Sequence, residues 1–290
     1  MIALHTSGGS LSAWSFDPIA LTLVAVAAVL YGRGIALSPG SKRKRHPWQR
    51  VAVYYGGLLV VLAALVSPID HIAGELFFVH MVQHFLLVIV APPMLLLGAP
   101  FIPVLRGMPR DLRREVVGPA IRSVWVRRPL RFVAHPLIAW PLYVGTLLLW
   151  HAPPAYDAAL RNEAVHLLEH AAFAGTALLW WWNVIDPVPL RPNLSYLARV
   201  PFVFLTTVPV FILGAFLTYS PRPWYQFYDG LTQAYGLTPL EDQEIGGVIM
   251  WIPGSLSLMA TLLIVLLFVV RTEERQQRAR EAAERESGAH

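Results

Sequence analysis

Apolar residues along this chain fall into long runs, interrupted by charged or Pro- and Gly-rich breaks. A bilayer core needs roughly 20 mainly apolar residues per helix. Runs of this kind lie near Ile19–Tyr31, Val51–Val66, Leu76–Leu97, Leu137–Trp150, Val165–Ile185, Val200–Tyr219 and Ile245–Val270. The pattern predicts an all-α fold, a polytopic transmembrane helix bundle of about seven spans. The first run is short and follows Asp17-Pro18, but nothing before it resembles the basic leader and small-residue cleavage site of a removable signal peptide. It is therefore read as a helix.

Composition supports a membrane class, with 56% hydrophobic and 14% charged residues. Charge then sets the orientation, because basic residues in short loops stay on the cytoplasmic side. Of the 23 Lys and Arg, six lie from Arg33 to Arg50, eight from Arg106 to Arg131, two at Arg191 and Arg199, and five from Arg271 onward. Only Arg161 and Arg222 fall elsewhere. The expected topology has the N-terminus outside and the C-terminus cytoplasmic, in a bacterial inner membrane. The net charge of +5 then sits on one face, where anionic lipid headgroups account for it without nucleic acid. Residues 1–271 read as one seven-helix membrane domain and 272–290 as a charged cytoplasmic tail. The loop Ser220–Gly247, rich in aromatics, Pro and Gly, reads as an exterior segment that partly covers the bundle.

With no cysteine in the chain, disulfides and thiolate metal sites are excluded, and soft-metal chemistry falls to Met sulfur and His nitrogen. Ionisable groups inside spans are costly, so each is a functional candidate. His80 and His84 in HMVQH stand at i and i+4, as do His166 and His170 in HLLEH, so each pair projects from one face of its helix. Both helices start at the predicted exterior. His71 precedes one of them, His151 ends another run in WHAPP, and Glu241, Asp242, Glu244 and Met250 open the last; these two histidines and three acids are further candidates to ligate a metal or to orient its ligands. Thus six of the ten histidines converge on one side. Imidazole with a nearby thioether suits copper, with zinc a further option. Met250 is the preferred sulfur, and Glu169 is a candidate partner that orients an imidazole. Set against this is hydrogen-bonding glue between helices, the expected role of His46 and His135. Met81 and Met94 read as packing, Trp180–Trp182 as an interfacial belt, and Pro92-Pro93 as a kink.

Four segments carry a resemblance: HMVQHFLLVIVAPPMLLLG, WHAPPAYDAAL, AVHLLEH and DQEIGGVIMWIPG. Together they resemble the bacterial cytochrome c oxidase assembly factor CtaG of the seven-helix, Bacillus type, over about Pro68 to Val270. The resemblance implies a non-catalytic membrane factor that matures a haem-copper oxidase by handling copper at the exterior face and passing it to an oxidase subunit. Carried over by position, His80, His84, His166, His170 and Met250 match the family's polar positions, with His71 and His151 as companions. The absence of Cys and the number of spans separate this chain from the single-span copper chaperone of the same name.

Two other functions compete. Histidines on facing helices also hold b-type haem, although an i,i+4 pair supplies both ligands from one side. A copper transporter would carry polar or Met residues through the whole bundle, whereas the inner half here is mostly apolar apart from Asn183 and Asp186. No nucleophile–base or paired-carboxylate arrangement argues for an enzyme.

Overall fold

The computed structural model describes residue 14 and residues 16–40, 46–186 and 194–287. Local sequence sets most helix starts. Asp17 opens α1 (Pro18–Ala36), its side chain accepting from the Ile19 amide at 2.8 Å with Pro18 as the first helical residue. After α2 (Trp48–Leu65), Ser67 and Pro68 open α3 (Pro68–Ala73) in the same way. A rod from Phe77 to Leu97, α4, follows, α-helical at both ends with a π-helical turn over Leu86–Val90. Next come α5 (Phe101–Gly107), a π-helical turn over Leu112–Val117, α6 (Gly118–Arg122), α7 (Val124–Val133), α8 (Pro136–Trp150) and α9 (Pro153–Arg161). Finally, α10 (Glu163–Val184), α11 (Tyr196–Thr218) and α12 (Pro239–Ser287) complete the bundle, and no strand occurs among the described residues.

Among the described residues five helices, α1, α2, α4, α11 and α12, are long and apolar enough to cross a bilayer, and α7 with α8, bent by 64° from one another, make a sixth if counted as one span. The remaining apolar run, α10, is 22 residues long. Its Glu163, Glu169, two histidines and three tryptophans dilute its hydropathy. Helix α7, VWVRRPLRFV, buries none of its side chains and leaves Trp125 89% exposed. Basic and aromatic residues on a helix turned away from the adjoining span suit a headgroup layer.

The π-helical turn in α4 precedes Pro92 and Pro93, which have no N–H to offer the carbonyls one turn back. Trp181 fills part of that gap, its indole Nε1–H donating to the Val88 carbonyl at 2.9 Å. Trp180 is fully buried and donates to Thr206 Oγ1 at 3.0 Å. These two tryptophans therefore belong to the core and not to an interfacial belt, because both indole N–H groups find partners inside the bundle.

Helix α12 packs along α11 through Gly247 and crosses α4 through Gly246. A Cβ on Gly246 would lie 2.3 Å from the Phe77 ring, and one on Gly247 would lie 2.5 Å from Thr218 Oγ1 and 2.7 Å from its backbone nitrogen. Gly246→Ala is expected to destabilise the protein by about 1–3 kcal/mol, since Phe77 is itself wedged against Tyr225 with ring centroids 4.8 Å apart. Thermal unfolding in detergent measures this, and an unchanged midpoint would show that the crossing relaxes freely.

Candidate metal centre

Helix α4 has no side-chain cap of its own, because Leu76 occupies the cap position. Its first amides donate across the bundle to Asp242 of α12, Phe77 N to Oδ2 at 2.7 Å and Phe78 N to Oδ1 at 3.0 Å. The carboxylate thus complements the positive end of the helix and fixes the angle at which α4 presents His80 and His84. Helix α10 starts at Asn162, whose side chain accepts from the Ala164 and Val165 amides, so that His166, Glu169 and His170 follow within its first two turns.

The four predicted histidines meet. Ring centroids are 4.3 Å apart for His80 and His84, 4.2 Å for His166 and His170, 5.6 Å for His80 and His166, and 5.8 Å for His84 and His170. One ligand atom from each of His80, His84 and His170 lies within 4.8 Å of the others, and so does one from each of His80, His166 and Glu169. His151 joins from the end of α8, its ring 6.1 Å from His84. His80, His84, His151, His170 and Glu169 are all buried, Glu169 completely.

The hydrogen bonds within the cluster leave much unsatisfied. His80 Nε2 and His84 Nε2 share one bond at 2.9 Å. His151 Nδ1 lies 2.7 Å from the Leu147 carbonyl, which can only accept, so Nδ1 carries the proton and neutral His151 keeps its lone pair on Nε2. That Nε2, with His84 Nδ1, His166 Nε2, His170 Nε2 and both oxygens of Glu169, is buried without a hydrogen-bond partner. His84 Nε2 stands 3.7 Å from Glu169 Oε1. Buried polar atoms are rarely left unpaired. A ring of imidazole nitrogens with one carboxylate is a donor set for a divalent ion of the copper or zinc kind. Two nitrogens bound to one tetrahedral ion stand about 3.3 Å apart given metal–nitrogen bonds of ~2.0 Å, close to the separation within the His80–His84 pair.

The other candidates are placed differently. Glu241 is exposed and accepts from the Thr238 amide and hydroxyl, both at 2.8 Å, as a helix-start box. Glu244 is half-buried on the same helix. His71 is at the rim, 3.8 Å from Glu75, which also accepts from the Tyr235 hydroxyl. Burial, and after it the Glu75 carboxylate, raise the Tyr235 phenol to about 12, so it remains a donor. His46 bonds Tyr31 and His135 caps α8, both remote from the cluster. Met250, half-buried, shares with Met81, His84 and His151 a cavity of about 60 Å³ beside the cluster.

Three tyrosines gave no signal in the sequence beyond an aromatic-rich loop. Tyr228 and Tyr225 come from that loop and are buried. Tyr228 Oη lies 2.9 Å from Tyr156 Oη and 3.4 Å from His80 Nδ1, and it donates to the Ala73 carbonyl at 3.2 Å. Tyr225 donates to the His151 carbonyl at 2.9 Å. The loop therefore closes that end of the bundle over the imidazoles.

Residues 29–272 match the family described as the cytochrome c oxidase caa3 assembly factor. Uncharacterized proteins of Mycobacterium bovis and Mycobacterium tuberculosis are each 25% identical to this chain over 275 residues, which is 92% of this chain and 40% of theirs. An uncharacterized Mycobacterium leprae protein is 25% identical over 270 residues, 90% of this chain and 40% of its own. The chain spans about two fifths of the length of these curated relatives. No solved structure matches it. The matched region runs from within α1 into α12 and contains every residue of the histidine cluster and the loop that covers it, and on this basis the chain belongs to the cytochrome c oxidase caa3 assembly factor family.

Proposed function

We propose that this chain is a non-catalytic membrane factor that holds copper among His80, His84, His151, His166, His170 and Glu169 and passes it to a subunit of a haem-copper oxidase. The observation that carries this reading is Glu169, fully buried with neither carboxylate oxygen hydrogen-bonded, in the middle of five histidines. A buried carboxylate in that state favours a cation at its side. Structural glue would instead pair the imidazole nitrogens with one another or with backbone carbonyls, as His151 Nδ1 does. The test is metal analysis of the protein purified in detergent after growth with copper. About one tightly held copper per chain is expected, together with copper-poor oxidase in cells lacking the factor. Protein that stays metal-free when offered copper overturns the reading.

Haem fits less well. A cofactor of that size needs a pocket of several hundred Å³, against about 60 Å³ in the cavity lined by His84 and His151 and about 230 Å³ in the one that His170 borders. Past the cluster, the interior is closed by a core that includes Phe173, Tyr143, Trp180, Trp181 and Leu258, which favours a holding site over a conduit. The cluster, the covering loop and the start of α12 share one end of the bundle, and the distribution of basic residues supports an exterior position for that end. Protease added to the outer face of right-side-out vesicles is therefore expected to cut within 229–238 while a C-terminal tag stays protected. Cleavage only from the cytoplasmic face would reverse the orientation and place the site on the wrong side for exterior copper.

A further inference from the structure

The cavity beside the histidine cluster has a donor set unlike that of the cluster itself. Its wall includes two thioethers, Met81 from α4 and Met250 from α12, and two imidazoles, His84 and His151. Met81 and both histidines are buried, and Met250 is half-buried. Two independent features separate this cavity from an ordinary packing gap. First, His151 has its proton fixed on Nδ1 by the Leu147 carbonyl, and its Nε2 is buried with no hydrogen-bond partner. Second, His84 commits Nε2 to His80 and leaves Nδ1 equally unpartnered. A void of about 60 Å³ has room for one small ion.

We propose that Met81, Met250, His84 and His151 form a second, softer metal subsite, selective for a monovalent cation of the cuprous kind and joined through His84 to the histidine–carboxylate site. The inference rests on the copper reading above and adds to it which ion each half of the site prefers. Thioether sulfur is a soft donor that favours Cu(I), whereas imidazoles with a carboxylate favour Cu(II) or Zn(II). Glu169 belongs to one half and the two sulfurs to the other, so softness changes across His84. An oxidase subunit that takes up cuprous ion would draw on the thioether half. Val88, Ile89, Leu147, Phe173 and Val210 make the rest of that wall apolar, which lowers the competition of water for a weakly solvated monovalent ion.

The subsite is tested with the full chain in detergent, loaded separately with Ag(I), a redox-silent stand-in for Cu(I), and with Zn(II). The wild-type protein is expected to retain both ions. The double variant Met81→Leu, Met250→Leu keeps side-chain volume and hydrophobicity, so it should fold, with helicity and melting unchanged. It is expected to lose Ag(I) affinity by at least about tenfold while Zn(II) affinity stays within about twofold. Glu169→Gln with His166→Ala should show the reverse, and His84→Ala should weaken both ions. Sulfur scatterers in the silver X-ray absorption spectrum of the wild-type protein provide a readout that needs no variant. Unchanged Ag(I) retention in the Met double variant, equal loss of both ions from it, or a silver spectrum without sulfur overturns the subsite and leaves the histidine–carboxylate site standing. Wild-type protein that retains neither ion overturns both.

Discussion

Replacing His80 and His84 together with alanine is expected to lower copper affinity of the purified protein by at least about a hundredfold, and with it the copper content and activity of the oxidase in copper-starved cells. Removing a group that only orients a metal ligand costs about 10–100-fold, so removing two ligands costs more. The pair is central because His80 appears in both ligand groups and His84 reaches toward Glu169, His151 and His170. Folding is the confounding quantity. Alanine suits a helix interior, but truncating two buried rings opens a cavity and frees the Tyr228 hydroxyl from His80, at a cost of about 2–4 kcal/mol. Melting in detergent measures that cost separately. A folded double variant that retains copper as well as the wild-type protein would mean that these imidazoles are structural.

Which parts of this arrangement could be read from the sequence follows from how local each signal is. The i,i+4 pairs His80/His84 and His166/His170 could be read because helical geometry puts both members on one face whatever the fold. That the two faces meet depended on depth along the helices, which the distribution of basic residues supplied. His151 carries a weaker signal, since a residue ending a helix has no periodicity, yet the structure seats it beside His84 with one nitrogen tied to its own helix. In sequence Asp242 reads as a possible ligand, because acids at a helix start look alike. It binds instead the amides of Phe77 and Phe78, more than 160 positions away, a partnership with no local signature. Tyr156 and Tyr228 lack a sequence signal for the same reason. The tryptophan run followed the usual interfacial rule, which fails where a proline pair in α4 leaves the Val88 carbonyl to be satisfied by an indole N–H. Span counting by apolar runs included α10, whose polar residues serve the cluster and keep it from qualifying by hydropathy alone.

Glu169→Leu should separate function from stability with opposite signs. The wild-type carboxyl is fully buried and neither oxygen has a hydrogen bond, so in the metal-free protein it carries its desolvation cost without a compensating partner. Its closest basic group, His84 Nε2 at 3.7 Å, is beyond hydrogen-bond range. Leucine of similar volume removes that cost, and replacing buried ionisable groups by apolar ones is often neutral or stabilising by about 1–4 kcal/mol. The metal-free variant is therefore expected to melt no lower than wild type. Its copper affinity should nonetheless fall by about 10–100-fold, because the carboxylate that the clustered donors include among the described residues is gone. Glu169→Gln offers a useful contrast: it keeps the shape and adds donors that the neighbouring imidazole nitrogens can accept, yet it too lacks the charge, so copper loss should persist. Metal-free melting curves and copper competition titrations on the three proteins decide the matter. If leucine lowers the melting temperature while copper affinity stays unchanged, Glu169 is a structural residue with an overlooked partner, and the site must be rebuilt around the histidines alone.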